Sequence, residues 1–168
     1  MNKPFVAVLM GSDSDLPVLQ STLSVLKNLE IHHEVKITSA HRTPDATHSY
    51  VKDADQRGCA VFIAAAGLAA HLAGTVAGLT LKPVIGIPMD AGPLQGMDSL
   101  LSTVQMPGGI PVACVAVGKA GAKNAAYLAA QMLALSDAGL AGRIREERAA
   151  NSAAVKAKDA KLQADLRN

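Results

Sequence analysis

The segment "TSAHRTPD", residues 38–45, places a histidine and an arginine side by side between a strand-like run and the start of a helix. Histidine is the residue type that most readily gives and takes a proton near neutral pH. Arg42 presents a fork of N–H donors suited to phosphate, and Ser39 adds a hydroxyl. A histidine here could instead bond a neighbouring carbonyl. The adjacent arginine and the position after a strand favour a functional His41, next to an anion-binding group.

A second turn, "GSDSD" at residues 11–15, follows the first apolar run. Gly11 permits a tight turn, and Ser12 and Ser14 bring hydroxyls to the free N–H groups at a helix start, a setting that suits an anion. The alternative is simply a well-capped helix. The segment is neither GxGxxG nor a Walker motif, so dinucleotide and ATP binding are not indicated.

A third turn, "AAAGLAAHLAG" at residues 64–74, combines small apolar residues with a histidine. Gly67 is expected to end a strand, and His71 to lie in the early turns of the following helix. Such surroundings could hold a small uncharged molecule. His71 could equally satisfy a buried acceptor, and the residues alone leave both possibilities open.

The sequence lacks the residue patterns of metal sites and of serine hydrolases. His41 and His71 have no thiol or carboxylate partners at metal-ligand spacing, so we expect no metal site, and neither an HExxH nor a GxSxG pattern occurs. Cys59 and Cys114 lie in apolar runs and are expected to be free thiols of a reducing cytoplasm. The other histidines are predicted to be surface residues: His32, His33 and His48. The remaining combination points to an acid–base enzyme acting on a small phosphorylated metabolite.

The composition describes a globular protein. Of 168 residues, 49% are apolar and 18% charged, which suits one domain of ordinary size. A net charge of +2 and only four Phe and Tyr residues argue against nucleic-acid binding. No uninterrupted apolar run reaches the roughly 18 residues of a membrane-spanning helix. We therefore expect neither nucleic-acid nor membrane partners.

Five β-like runs alternate with longer helical patterns. The runs are "FVAVLM" (5–10), "HEVKI" (33–37), "AVFIAAA" (60–66), "PVIGIP" (83–88) and "PVACVAV" (111–117). Most are continuously apolar, as in parallel strands covered by helices on both faces. The alternation predicts an open α/β sheet whose strand-to-helix turns share one edge, where ligands bind near a switch in strand order. The three turns above should therefore converge.

Local signals mark the first two helices. Five leucines at helical spacing predict the buried face of the first helix. They are Leu16, Leu19, Leu23, Leu26 and Leu29. Asp15 is placed to cap that helix, and Pro17 lies in its first turn. For the second helix, Thr43 is the expected cap, Pro44 the first residue, and Gly58 the residue after the end.

The C-terminal region differs from the rest. Residues 118–135 form an Ala- and Leu-rich helical pattern, and from Arg143 onward the chain is charged. Its apolar residues there form only a thin stripe of Ile144, Val155, Leu162 and Leu166. We predict one domain over residues 1–168, with a core of about 4–140 and a helical extension of about 141–168. A helix with so few apolar residues is marginal alone, so we expect the extension to lie on a partner subunit.

Five motifs occur in one order and spacing: "MGSDSD", "SAHRTP", "AAHLAG", "QMPGGIPV" and "VGKAGAKNAA". Together they resemble the class I N5-carboxyaminoimidazole ribonucleotide mutases of purine biosynthesis, from about Phe5 to Leu135. The resemblance implies a three-layer α/β/α sandwich with a parallel, flavodoxin-like sheet, a cytoplasmic homo-octamer, and an isomerase that moves a carboxylate from an exocyclic nitrogen to ring carbon 4. It also implies that no metal, ATP or biotin is used, so no cofactor is expected.

Carried over residue by residue, the resemblance makes His41 the general acid and base and adds His71 to the catalytic residues. Substrate-binding positions fall on all three turns. They are Gly11, Ser12, Ser14, Asp15, Ser39, Arg42, Gly67, Ala70 and Leu72. Arg42, the hydroxyls and helix N–H groups are expected to hold the phosphate, and Asp15 the ribose hydroxyls. The third turn is expected to enclose the carboxylate or carbon dioxide.

Two positions depart from the family pattern: Ala73 stands where many members have proline, and Gly108 where some have arginine. A related branch carboxylates aminoimidazole ribonucleotide directly and reads "SAHK", so Arg42 favours the mutase. Two rivals of other classes are a non-catalytic module that binds a nucleoside monophosphate and a purely structural assembly protein. The first needs the anion-binding residues but gives His41 no task.

Overall fold

The computed structural model describes residues 4–167, which contain one five-stranded sheet and six α-helices. The strands are β1 (Phe5–Met10), β2 (His33–Ile37), β3 (Cys59–Ala66), β4 (Val84–Pro88) and β5 (Ala113–Cys114). The helices are α1 (Leu16–Asn28), α2 (Pro44–Gln56), α3 (Leu72–Ala77), α4 (Met97–Val104), α5 (Gly118–Ala134) and α6 (Ala138–Asp165). Strands and helices alternate along the chain up to α5, as predicted.

All four strand pairings are parallel, and the strand order is β2-β1-β3-β4-β5. This is the flavodoxin-like order, so the predicted fold class is confirmed. The chain moves to one side of β1 to form β2 and to the other side to form β3. The switch in strand order therefore lies between β1 and β3, and the turns that follow these strands open at this point.

The centre of the sheet is apolar on both faces. Every residue of β1 is buried, and β3 and β4 are buried along most of their length. β2 lies at an edge, and its residues Val35 and Ile37 remain exposed. Gly86 in β4 allows α4 to pack directly on the sheet, because a Cβ there would lie 2.4 Å from the Thr103 methyl carbon.

The predicted fifth strand is much shorter in the structure. Only Ala113 and Cys114 pair with β4, whereas the apolar run predicted a strand over 111–117. Pro111 has no N–H to contribute to a ladder, and Ala116 has a φ of 135°, which breaks the extended backbone. The Val115 carbonyl accepts instead from the Asn124 side chain.

The buried face of α1 is rotated relative to the leucine pattern. Leu16 is 40% exposed, so its assignment to the buried face was wrong. The face instead includes Thr22, whose hydroxyl donates to the Ala122 carbonyl over 2.7 Å. This bond satisfies a fully buried polar group, which is why a threonine can replace an apolar residue there.

The predicted helix boundaries hold, but the capping chemistry differs. Pro44 begins α2, and Gly58 follows its end with a φ of 98°. Asp15 immediately precedes α1 but makes no capping bond; Ser12 instead caps a short 3-10 turn over Asp13–Asp15. The Thr43 side chain does not cap α2 either, and bonds back to Ser39.

The chain divides into two units, residues 1–129 and residues 130–168. The first contains the sheet, α1 to α4 and most of α5. The second contains the end of α5 and the long helix α6, whose N-cap Asp137 accepts from the Leu140 N–H. Of the four apolar residues predicted to form its thin stripe, only Ile144 is buried; Val155, Leu162 and Leu166 are exposed. The role of this helix in subunit contacts stays a prediction.

Candidate active site

A pocket of about 460 Å³ opens at the switch in strand order, within the first unit. The turns after β1, β2 and β3 converge on it, as the sequence predicts. Its lining residues are Gly11, Ser12, Ser14, Asp15, Ser39, Ala40, His41, Arg42, Ala66, Gly67, Leu68, Ala69, His71, Leu72 and Ala91. Ten of the eleven predicted site residues are therefore brought together in one cavity.

The two histidines contact each other directly. His41 Nε2 lies 2.9 Å from His71 Nδ1, and the two rings meet edge to face at 85°. One nitrogen must carry the proton that the other accepts, so the tautomers of the two rings are linked. His71 is the N-cap residue of α3, one position before the helix in which it was expected.

A group of hydroxyls holds the turn that carries His41 and Arg42. The Thr43 hydroxyl accepts from the Ser39 N–H at 2.9 Å and closes the turn. Beneath it, the hydroxyls of Thr38 and Thr47 lie 2.7 Å apart, and both residues are buried. Since these contacts join the end of β2 to the first turn of α2, the position of His41 is fixed by both elements.

Arg42 reaches across the switch point. Its Nη2 donates to the Gly11 carbonyl at the end of β1 over 2.9 Å, and the Arg42 N–H donates to the Ser39 hydroxyl. The arginine therefore lies between the two turns predicted to bind an anion. One arm of its guanidinium is held by the backbone, which orients the fork while the residue stays exposed.

Asp15 is a buried carboxylate at the pocket wall, only 7% exposed. Burial raises the pKa of this carboxyl, while hydrogen bonds with Ser12 and Ser14 partly oppose the shift. Ser12 and Ser14 are also linked by their hydroxyls at 3.0 Å. The turn thus presents oxygen acceptors and hydroxyl donors, a set that suits sugar hydroxyls and phosphate.

The turn after β3 supplies an apolar wall. Ala66, Gly67, Leu68 and Ala69 line it, and a Cβ on Gly67 would lie 3.2 Å from the Ala91 side chain. Leu68 has a φ of 55°, a left-handed conformation that is unfavourable for leucine. The wall therefore depends on close packing and on a strained backbone.

One predicted residue is absent from the lining. Ala70 is buried behind the wall, where its N–H donates to the Ser102 hydroxyl over 3.0 Å. Five lining residues were not predicted: Ala40, Ala66, Leu68, Ala69 and Ala91. Ala91 comes from the β4–α4 loop, and the "DAGP" turn directly after a strand could have indicated it. The other four lie within the two turns already identified, residues 38–45 and 64–74, but as plain apolar residues they carried no signal that distinguished them from their neighbours.

Within the described residues, the fold does not assemble a metal site or an activated cysteine. Among residues 4–167, no group of three or more His, Cys, Asp and Glu side chains could hold a metal ion. Both cysteines are free thiols, as predicted. Burial raises the pKa of Cys59 to about 11 and also raises that of Cys114, so neither is an activated nucleophile. In the same described range, no helix is long and apolar enough to cross a membrane.

These features define a flavodoxin-like α/β protein whose cavity is lined by two hydrogen-bonded histidines, an arginine and a small apolar wall. A family model described as AIR carboxylase matches residues 5–154. The chain belongs to this family.

Relatives of known name cover most of the chain. N5-carboxyaminoimidazole ribonucleotide mutase of Pyrococcus abyssi is 54% identical over 79% of this chain and 75% of its own length. The mutase of Bacillus subtilis is 50% identical over 87% of this chain and 90% of its own length. The crystal structure of Treponema denticola PurE superimposes with a TM-score of 0.86 at 32% identity, covering 95% of this chain and 99% of that one.

Proposed function

We propose that this protein is an N5-carboxyaminoimidazole ribonucleotide mutase that acts in purine biosynthesis in the cytoplasm. The observation that carries the proposal is the contact of His41 with His71 in a pocket that Arg42 also lines. Relatives about half identical to this chain bear that name. The pocket provides for each part of such a substrate: a phosphate, ribose hydroxyls, and a labile carboxylate.

The reaction then needs one proton-transfer group that acts twice. The bond between the exocyclic nitrogen and the carboxyl carbon breaks, carbon dioxide leaves, and His41 gives its proton to that nitrogen. Ring carbon 4 next attacks the carbon dioxide, and His41 takes the proton that carbon 4 loses. The net result is an isomerisation, and no other reactant is consumed.

Phosphate binding is assigned to Arg42 with the hydroxyls of Ser12, Ser14 and Ser39. The Arg42 fork already has one N–H on a carbonyl, and its remaining donors can meet phosphate oxygens. Asp15, with its acceptor oxygens at the pocket wall, is assigned to the ribose hydroxyls.

The apolar wall, together with Leu72, is assigned to the carboxylate and to carbon dioxide. Alanine, glycine and leucine give carbon dioxide an apolar surface with no polar group to react with it, which favours its retention until carbon 4 attacks. Escape would leave the decarboxylated amine as an unwanted product. Ala73, where the family pattern has proline in many members, is the second residue of α3 and lies in the first turn, where the helix backbone is compatible with proline.

The deciding experiment supplies purified protein with fresh N5-carboxyaminoimidazole ribonucleotide, without ATP or added bicarbonate. Rapid formation of the isomer carboxylated at carbon 4 is expected, and its loss in His41→Asn would tie the reaction to the pocket. Turnover of aminoimidazole ribonucleotide only when bicarbonate is supplied would instead identify a direct carboxylase. Binding without any turnover would indicate a nucleotide-binding module.

A homo-oligomer, specifically an octamer, is part of the proposal. The exposed apolar residues of α6 and its 28-residue length suit a helix that contacts other subunits. Removing residues 143–168 should lower the mass measured by light scattering. An unchanged mass would refute this role for the helix.

A further inference from the structure

The inner face of α4 carries three hydroxyls next to the active-site turns. Ser99, Ser102 and Thr103 follow helical spacing, and their bonds reach the loops on both sides. No sequence motif includes these residues. Among them, Ser102 makes the most direct contact with the turn that forms the apolar wall of the pocket.

Ser102 is a specific partner for one backbone group of that turn. Its Oγ accepts from the Ala70 N–H over 3.0 Å and donates to the Asp98 carbonyl over 2.6 Å. The Leu68 and Ser99 carbonyls lie at 3.4 Å, too far to compete for the single hydroxyl hydrogen. Since the bond to Asp98 fixes the hydroxyl hydrogen, an oxygen lone pair stays directed at Ala70.

The turn that Ser102 contacts requires such support. Ala70 is 1% exposed, so its N–H needs a hydrogen-bond acceptor within the protein, and Ser102 supplies it. Two residues earlier, Leu68 has the left-handed φ of 55°, a conformation that persists only when its surroundings impose it. The next residue, His71, bonds to His41. One hydrogen bond thus joins α4 to both the apolar wall and the histidine pair.

We propose that Ser102 is a positioning residue for this reaction: it holds the Gly67–His71 turn closed around carbon dioxide and keeps His71 in register with His41. This inference rests on the proposed function. Ser102 does not line the pocket, so it acts through the turn and not on the substrate.

The test measures retention of carbon dioxide, which a general loss of stability would not change. Wild type and variants convert the substrate in the presence of ¹³C-bicarbonate, and mass spectrometry counts the label that enters the product per turnover, after subtraction of the enzyme-free rate. Ser102→Ala should take up about tenfold more label and lose about tenfold in kcat, because small displacements of reacting groups are costly. KM should change little, since Ser12, Ser39 and Arg42 are untouched.

Two variants and one control complete the design. Ser102→Thr keeps the hydroxyl and should recover most of the retention, whereas Ser102→Cys keeps the size but accepts hydrogen bonds weakly, and should behave like alanine. Cysteine also serves if the alanine variant fails to fold. Ser24→Ala is the matched control, because Ser24 bonds the Gln20 carbonyl within α1 in the same way but supports no turn.

The outcomes separate this inference from the proposed function. Wild-type retention and kcat in Ser102→Ala or Ser102→Cys would overturn the inference, as would a lower kcat with unchanged labelling. Failure of the wild type to convert the substrate would overturn the proposed function instead.

Discussion

His41 Nε2 and His71 Nδ1, which belong to two different turns, share one hydrogen bond of 2.9 Å. His41 follows β2, and His71 precedes α3 on the other side of the switch in strand order. The contact makes the orientation of the His41 ring depend on a residue 30 positions away. Both rings are exposed to the pocket, so either can meet a substrate.

Replacing His41 should separate chemistry from binding. His41→Asn is expected to lower kcat by about three orders of magnitude or more, while ligand affinity stays within about tenfold, because the anion-binding groups remain. Assays that follow formation of the carboxylated product measure kcat, and calorimetric titration with a ribonucleotide product measures the ligand affinity. His48→Asn, on the exposed face of α2, should match wild type. Intact turnover in His41→Asn would remove the assigned role.

Replacing His71 should have a smaller effect. His71→Asn retains a polar group of similar reach, so His41 keeps a neighbour while its ring is less firmly oriented. We expect kcat to fall by about tenfold, far less than for His41→Asn. Steady-state kinetics of the two single variants and the double variant provide the measurement. A His71 variant as inactive as the His41 variant would contradict this ranking.

Arg42 should contribute mainly to binding. Losing a hydrogen bond from a charged donor costs about 1.5–3 kcal/mol, so Arg42→Ala should raise KM by about ten- to hundredfold. Arg42→Lys keeps the charge but loses the forked donors, so its KM should lie between those of the wild type and Arg42→Ala. The kinetics are to be compared with Lys52→Ala, which removes an exposed cation from α2. A fall in kcat at constant KM would argue against phosphate binding by Arg42.

Asp15 should reduce stability at neutral pH. Its folded-state pKa is raised above the ordinary 3.8, so the folded protein holds this proton more tightly than the unfolded chain. The contribution of Asp15 to the free energy of unfolding therefore becomes unfavourable as the pH rises through the raised pKa. Asp15→Asn should unfold at a higher temperature than wild type at pH 8, an advantage that shrinks on acidification, while its KM rises.

The control for this pH series is Asp13→Asn, which changes an exposed carboxylate in the same turn. Thermal unfolding of the three proteins from pH 8 down to the ordinary carboxyl pKa of 3.8 should show, in Asp15→Asn alone, an advantage that shrinks on acidification. An equal gain in both variants would point to net charge and not to burial as its cause.

The sequence predicted the central architecture because its signals are local. Continuous apolar runs identified β1, β3 and β4, and Pro44 and Gly58 marked the ends of α2. Alternation of elements then placed three turns at one edge, which was enough to predict that His41 and His71 share a site. No local pattern states that their nitrogens meet, since that depends on the packing of two separate turns.

The errors arose where tertiary contacts overrode local patterns. Leu16 follows the leucine spacing but is 40% exposed, because the buried face of α1 is formed by Leu19, Thr22, Val25 and Leu26. The run ending at Val117 is apolar enough for a strand, yet the backbone at Ala116 cannot continue the ladder. Ser102 was overlooked because a serine on a helix has no distinctive sequence environment; its importance follows from Ala70, 32 residues away.

The close approach of α4 to the sheet has an evolutionary consequence. The Thr103 methyl group fills the space that a side chain at position 86 would need: a Cβ on Gly86 would lie 2.4 Å from it. An alanine at 86 is therefore expected only together with a smaller residue at 103, such as serine, which keeps the hydroxyl. Either change alone overfills or empties the contact, so natural variation should couple these two positions. Thr103 is the neighbour of Ser102, which supports the active-site wall. A change at 103 that moved α4 would therefore also disturb the active site, and this further restricts which residues positions 86 and 103 can accept.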